Sequence, residues 1–176
     1  SFSLRMRRYI YRQAQMAKGE DKMPIINEDI TEIEEDSQKG KYLTFNLGEN
    51  SYGIEIRHVT EIVGVQPFNT MPELPGYYKG IINLRGRIIP VMDMRLRFDM
   101  PPVEYNDRTC IVIIDSEDIS AGLIVDCVEE VLNFKDEDIA DPPEVGAGKK
   151  FIKGIGKREG KIKLLLDCEK LFSNDN

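Results

Sequence analysis

The chain has 176 residues, 41% of them hydrophobic, with no tryptophan and a formal charge of −7. That length suits one domain, or two small ones sharing a core. The acidic balance argues against DNA or RNA as a partner, because such binding rests on neutralising phosphates with Lys and Arg.

In chain order, residues 1–22 come first and are basic, with six Lys/Arg against two Asp/Glu. Phe2, Met6, Ile10 and Ala14 are spaced for a short amphipathic helix on an anionic membrane surface. The competing reading, which is preferred, is a non-functional leader with Met23 as the natural start. Residues 24–41 are acidic and thinly apolar and read as a disordered lead-in. The expected division is therefore an N-terminal extension over 1–41 and a folded domain over 42–176.

From Tyr42 the pattern is strands and turns. "YLTFNLGENSYGIEI" alternates around Gly48-Glu49-Asn50, a hairpin signal. "IRHVTEIV" follows, with Ile56, Val59 and Val63 along one edge and Glu61 beside it. It fits either a half-buried turn with a solvated Glu or a protein-docking edge. "GIINLRGRIIP" (80–90) reads as a second hairpin, with Gly86 between Arg85 and Arg87. The guanidinium fork suits bidentate pairing with a carboxylate, and arginine is enriched at interface hot spots. A solvated turn is the alternative. "TCIVIIDSEDISAGLIVD" makes a third hairpin around Asp115–Asp118. Short strands and tight turns of this kind predict an all-β barrel or sandwich.

The sequence also repeats. Lys79, Gly80, Ile81, Gly86, Ile88, Asp93 and Phe98 recur 74 residues later as Lys153, Gly154, Ile155, Gly160, Ile162, Asp167 and Phe172. Upstream, Gly53, Val59 and Glu61 recur 69 residues later as Gly122, Val128 and Glu130. Two copies of one unit, each too small to be robust alone, are expected to share an apolar seam. After Asp93 and Asp167 a short helix is expected, capped by the aspartate.

Catalytic and metal chemistry finds little support. His58 is the sole histidine, so no Ser-His-Asp or Cys-His set assembles. Cys110, Cys127 and Cys168 are odd in number and widely spaced, and read as reduced thiols of a cytosolic protein. "EVGAGKKF" lacks the first Gly and the final Ser/Thr of a phosphate loop. "DEDIADPPE" lacks an oxygen ligand and the central Gly of a calcium loop. The expectation is no enzyme, no cofactor and no metal. No apolar run reaches the length of about 20 residues that spans a bilayer, so direct membrane insertion is not expected.

"YLTFNLGENSYGIEIRHVTEI", "YYKGIINLRGRIIPVMDMRLRF", "GLIVDCVEEVL" and "KIKLLLDCEKLF" together resemble the bacterial chemotaxis coupling proteins of the CheW family, over Tyr42–Phe172. The resemblance implies two SH3-like five-stranded β-barrels interleaved around a common hydrophobic core, with short helices including one at the C-terminus. It implies a cytoplasmic, non-catalytic adaptor joining chemoreceptor signalling tips to the regulatory domain of the histidine kinase CheA, in arrays at the inner face of the membrane. Matching residue by residue, the receptor contact falls on Arg85, Gly86 and Glu61, with Cys110 and Ala121 as a groove wall. The kinase contact falls on Leu43, Ile56 and Val59, with a second contact at Glu144 and Val145. The expectation is a free-standing coupler, with no receiver domain after it and no ATP-binding domain before it. An excised CheW-like regulatory domain of a chemotaxis kinase is the alternative.

Overall fold

In the computed structural model, residues 38–116, 119–144 and 149–173 are described. The lead-in up to residue 37 and Val145 lie outside them. Eleven strands and two short helices are present among the described residues: β1 (Lys41–Leu47), β2 (Asn50–Glu55), β3 (Val59–Gly64), β4 (Tyr78–Leu84), β5 (Arg87–Asp93), α1 (Met94–Arg97), β6 (Cys110–Asp115), β7 (Ser120–Val125), β8 (Cys127–Asn133), β9 (Ile139–Ala140), β10 (Ile152–Arg158), β11 (Lys161–Leu166) and α2 (Cys168–Phe172). Single 3-10 turns occupy Ile56–His58, Asp136–Asp138 and Lys149–Phe151. The fold begins slightly before Tyr42. Lys41 opens β1, and the Gly40 carbonyl accepts the Phe134 N–H at 2.7 Å.

The expected hairpins form. β1 and β2 pair across the Gly48-Glu49 turn, β4 and β5 across Arg85-Gly86, and β6 and β7 antiparallel with Asp115 opposite Ser120. The 74-residue repeat is structural. β4, β5 and α1 recur as β10, β11 and α2. Asp93 accepts the N–H groups of Arg95 and Leu96, and Asp167 those of Glu169 and Lys170, so both aspartates cap their helices. Each capping oxygen satisfies first-turn donors that have no intrahelical partner.

The copies do not fold side by side. One sheet runs β3-β6-β7-β5-β4 and the other β8-β1-β2-β11-β10-β9. Each takes its first hairpin from one copy and its remaining strands from the other. Equivalent parallel pairings make the joins: Gly53 opposite Leu165, and Gly122 opposite Val91. A side chain at either glycine would collide. Its Cβ would lie 2.9 Å from Leu165 Cδ2 at Gly53 and 2.7 Å from Ile111 Cγ2 at Gly122. The sheets curl into two small SH3-like barrels.

The main core lies between them. Leu43, Phe45 and Ile54 from one barrel pack in the same cluster as Val112, Ile114 and Leu123 from the other. Against this cluster the Arg97 guanidinium lies 4.4 Å from the ring centroids of both Tyr77 and Phe151, which are themselves repeat equivalents. Arg97 also donates to the carbonyls of Leu171 and Ser173, each at 3.1 Å. Such stacking and charge-assisted bonding lets a buried guanidinium sit in an apolar seam.

Candidate partner-binding surface

The β4–β5 turn holds Arg85 at φ 54° and Gly86 at φ 83°. Positive φ at both central positions is the type I′ geometry that matches the twist of the strands. Glycine meets it freely, whereas arginine does so at a cost of about 1–2 kcal/mol. The Gly86 N–H donates to Asn83 Oδ1 at 2.9 Å, which holds the turn closed.

Glu61 reaches the turn from β3, because a bulge between Val59 and Glu61 shifts the register against β6. A bulge inserts a residue and re-aims the next side chain. Thr60, the inserted residue, donates its hydroxyl to the Ile113 carbonyl at 3.3 Å. Arg85 then grips Glu61 with both arms: Nη1 to Oε2 at 2.8 Å and Nη2 to Oε1 at 2.5 Å. The Glu61 side chain is 18% exposed and that of Arg85 64%. The bidentate pairing that suits the Arg85 fork is thus made with a carboxylate of the same chain, Glu61. The half-buried turn suggested for 56–63 is instead a 3-10 turn followed by a strand.

Sequence reasoning missed the neighbours of this pair. Arg87 donates to Ser120 Oγ at 2.8 Å and to Asp115 Oδ1 at 3.3 Å, while Ser120 donates to Asp115. Ile88, next along β5, is 61% exposed. Its repeat equivalent Ile162 is 58% exposed. The signal was legible: an isoleucine stands two residues after the turn glycine in both copies.

The other expected site residues are scattered. Cys110 is half-buried and pairs with Gly64 at the opposite end of the β3–β6 ladder from Glu61. Three residues of strand span about 10 Å. Burial raises the Cys110 thiol pKa above its ordinary value. Ala121 is fully buried. Leu43, Ile56 and Val59 require a correction, because they are 1%, 6% and 0% exposed and belong to the inter-barrel core. Leu43 turns inward from β1, Ile56 from the 3-10 turn and Val59 from the start of β3. Their side chains support a surface from beneath and present none. Glu144 is exposed, after the Pro142-Pro143 pair.

A separate cleft of about 230 Å³ lies beside β2, β10 and α2 and holds Glu55, His58, Lys153 and Cys168. Its charges satisfy one another: Glu55 accepts from both Arg57 and Lys153. Burial, then Arg57, pushes the His58 imidazole below its ordinary pKa. Burial pushes the Cys168 thiol up to about 12, so it is protonated at neutral pH. Among the described residues no group of three or more His, Cys, Asp or Glu could hold a metal ion, and no helix is long and apolar enough to cross a membrane.

Residues 41–176 match the family described as CheW-like domain. The chemotaxis protein CheW of Treponema pallidum is 38% identical over 138 residues, covering 75% of this chain and 81% of that protein. The chemotaxis protein CheW of Klebsiella aerogenes is 34% identical over 137 residues, covering 77% and 82%. A crystal structure of the scaffolding protein TtCheW from Thermoanaerobacter tengcongensis superposes with a TM-score of 0.73 at 36% identity, covering 77% of this chain and 94% of that one. The curated relatives are chemotaxis proteins and the solved one is a scaffolding protein, which sets this chain among the scaffolds of bacterial chemotaxis. The chain belongs to the CheW-like family.

Proposed function

We propose that this protein is a non-catalytic adaptor that couples chemoreceptor cytoplasmic tips to the chemotaxis histidine kinase CheA in a signalling array. The observation that carries the reading is the Arg85–Glu61 pair. An arginine held in a left-handed turn keeps most of its guanidinium exposed while its orientation is set by a largely covered carboxylate. Fixing a rotamer-rich side chain before binding lowers the ordering cost at an interface. Arg85, Gly86 and Glu61 form the receptor anchor, with Cys110 and Ala121, on β6 and β7, as its groove wall. The kinase regulatory domain docks on the surface overlying Leu43, Ile56 and Val59, and a second contact uses Glu144 and Val145. Modest affinity at each face is raised by avidity in the array. The protein is cytoplasmic and reaches the inner face of the membrane through receptors.

The test is binding of wild type and Arg85→Ala to a purified receptor signalling tip, with and without the CheA regulatory domain. Wild type is expected to bind both, and Arg85→Ala to lose only the receptor. Undiminished receptor binding by a folded Arg85→Ala variant would refute the assignment of the anchor.

A further inference from the structure

The two repeat-related hairpins make the same turn with different residues. Arg85 and Gly86 sit at φ 54° and 83°, Glu159 and Gly160 at φ 53° and 76°. In the first, the Gly86 N–H donates to Asn83 Oδ1 at 2.9 Å. In the second, Lys157 stands in the place of Asn83 and has no oxygen to offer. The turn forms with or without the side-chain bond, so closing the turn does not account for Asn83. What the bond does there is fix the carboxamide. A backbone N–H needs an acceptor, so the oxygen faces Gly86 and the NH2 group faces away from the turn. Asn83 is exposed, and among the described residues nothing accepts from its Nδ2. Two oriented donors therefore stand beside Arg85.

Asn83 pairs across the hairpin with Ile88, which is 61% exposed. On the same face, two residues further from the turn, Ile81 pairs with Pro90, and both are half-buried. Val91 pairs with Gly122, which sets Ala121 beside Pro90. An apolar strip thus descends from Ile88 toward the groove wall, with Asn83 and Arg85 at its open end. The cations around it are already compensated, Arg85 by Glu61 and Arg87 by Asp115. A carboxylate brought here would meet Glu61 and Asp115 as well as the arginines. The equivalent face of β10–β11 keeps an exposed Ile162 but sets Lys157 opposite it and an exposed Glu159 at the tip. The two barrels therefore present different surfaces on one backbone.

We propose, on the reading that a receptor tip docks here, that Asn83 and Ile88 determine specificity at the Arg85 surface. Asn83 Nδ2 donates to an uncharged oxygen of the tip, a carboxamide or a main-chain carbonyl. Ile88 covers an apolar side chain next to it. A partner lacking that oxygen leaves the Asn83 donors covered and unpaired, which is how a polar site rejects a near miss. Because the Gly86 bond orients the carboxamide before binding, little ordering cost remains.

The test titrates a purified receptor signalling tip into the full chain, as wild type and as Arg85→Ala, Asn83→Asp, Asn83→Lys and Ile88→Thr. Asn83→Asp keeps an oxygen for the Gly86 N–H and removes the donors. Asn83→Lys installs the residue that the second hairpin already accommodates, so the test stands even if the aspartate disturbs the turn. Ile88→Thr keeps a branched side chain at an exposed position. Each of the three is expected to weaken binding about tenfold or more, with the urea midpoint unchanged. Raising NaCl to about 1 M, where the screening length is about 3 Å, is expected to weaken wild-type binding less than about threefold. Wild type that does not bind the tip removes the receptor reading and this proposal with it. Binding that Arg85→Ala loses, while the Asn83 and Ile88 variants keep full affinity, overturns this proposal alone. So does a loss of more than about tenfold in salt, which would mean that the tip brings a carboxylate.

Discussion

Replacing Arg85 by glycine separates what the residue does for the fold from what it does for binding. The ion pair to Glu61 has contacts of 2.5 and 2.8 Å. Two unit charges that close in water attract by about 1.5 kcal/mol. Salt screening and side-chain ordering leave about 0.5–1 kcal/mol at an exposed site. Against this, Arg85 sits at φ 54°, and glycine there recovers about 1 kcal/mol of backbone strain. Arg85→Gly should therefore be near neutral in stability. Arg85→Ala, which loses the pair and keeps the strain, should be less stable by about 0.5–1 kcal/mol. Both should lose on the order of 2 kcal/mol of receptor-tip binding, about 30-fold. Urea unfolding and titration of the receptor tip measure the two quantities on the same samples. A loss of more than about 2 kcal/mol of stability in Arg85→Gly would show that the turn holds the barrel shut. Full affinity in both variants would show that the guanidinium is not the anchor.

Gly122→Ala should destabilise by about 1–3 kcal/mol, because its Cβ would lie 2.7 Å from Ile111; an unchanged urea midpoint would contradict the packing of β7 on β6. Leu43→Ala should cost about 2–5 kcal/mol, since the side chain is 1% exposed, yet leave affinity for the CheA regulatory domain unchanged per folded molecule; calorimetry on the folded fraction checks this. Asp126 gives a pH signature. Arg95 hydrogen-bonds it and holds its carboxyl below the usual carboxylate range. A carboxyl with a depressed folded pKa stabilises above its unfolded value of about 3.9 and loses that stabilisation as pH falls through the folded value. The stability gap between wild type and Asp126→Asn should be full at pH 6 and shrink below about pH 4. A gap that is flat with pH would sink the linkage. Asp93→Ala should cost more than Asp167→Ala, which loses a cap worth about 1 kcal/mol, because Asp93 is 4% exposed and also accepts the Tyr105 hydroxyl at 2.6 Å.

Much of this molecule is written in short stretches of its sequence. Turn glycines flanked by alternating apolar residues marked the hairpins, and an aspartate before each short helix marked the caps. These features depend on neighbours within three or four residues, so local pattern suffices to read them. The 74- and 69-residue offsets revealed two copies and an apolar seam, because repeated units leave repeated residues.

What only the tertiary structure decided is how the copies combine. Their hairpins are exchanged, so each barrel is a mixture of both halves. No local signal distinguishes exchange from side-by-side packing, since the same strand faces are buried either way. The same holds at the candidate site. Arg85 and Glu61 are 24 residues apart in sequence, and their pairing depends on a one-residue bulge in β3 that alternation does not display. Leu43, Ile56 and Val59 carried apolar signals equally suited to a core or a docking patch, and burial against the second barrel determined which. Hydrophobic periodicity reports which face of a strand avoids water. Whether that face meets the protein's own core or a partner is settled by contacts between segments far apart in the chain.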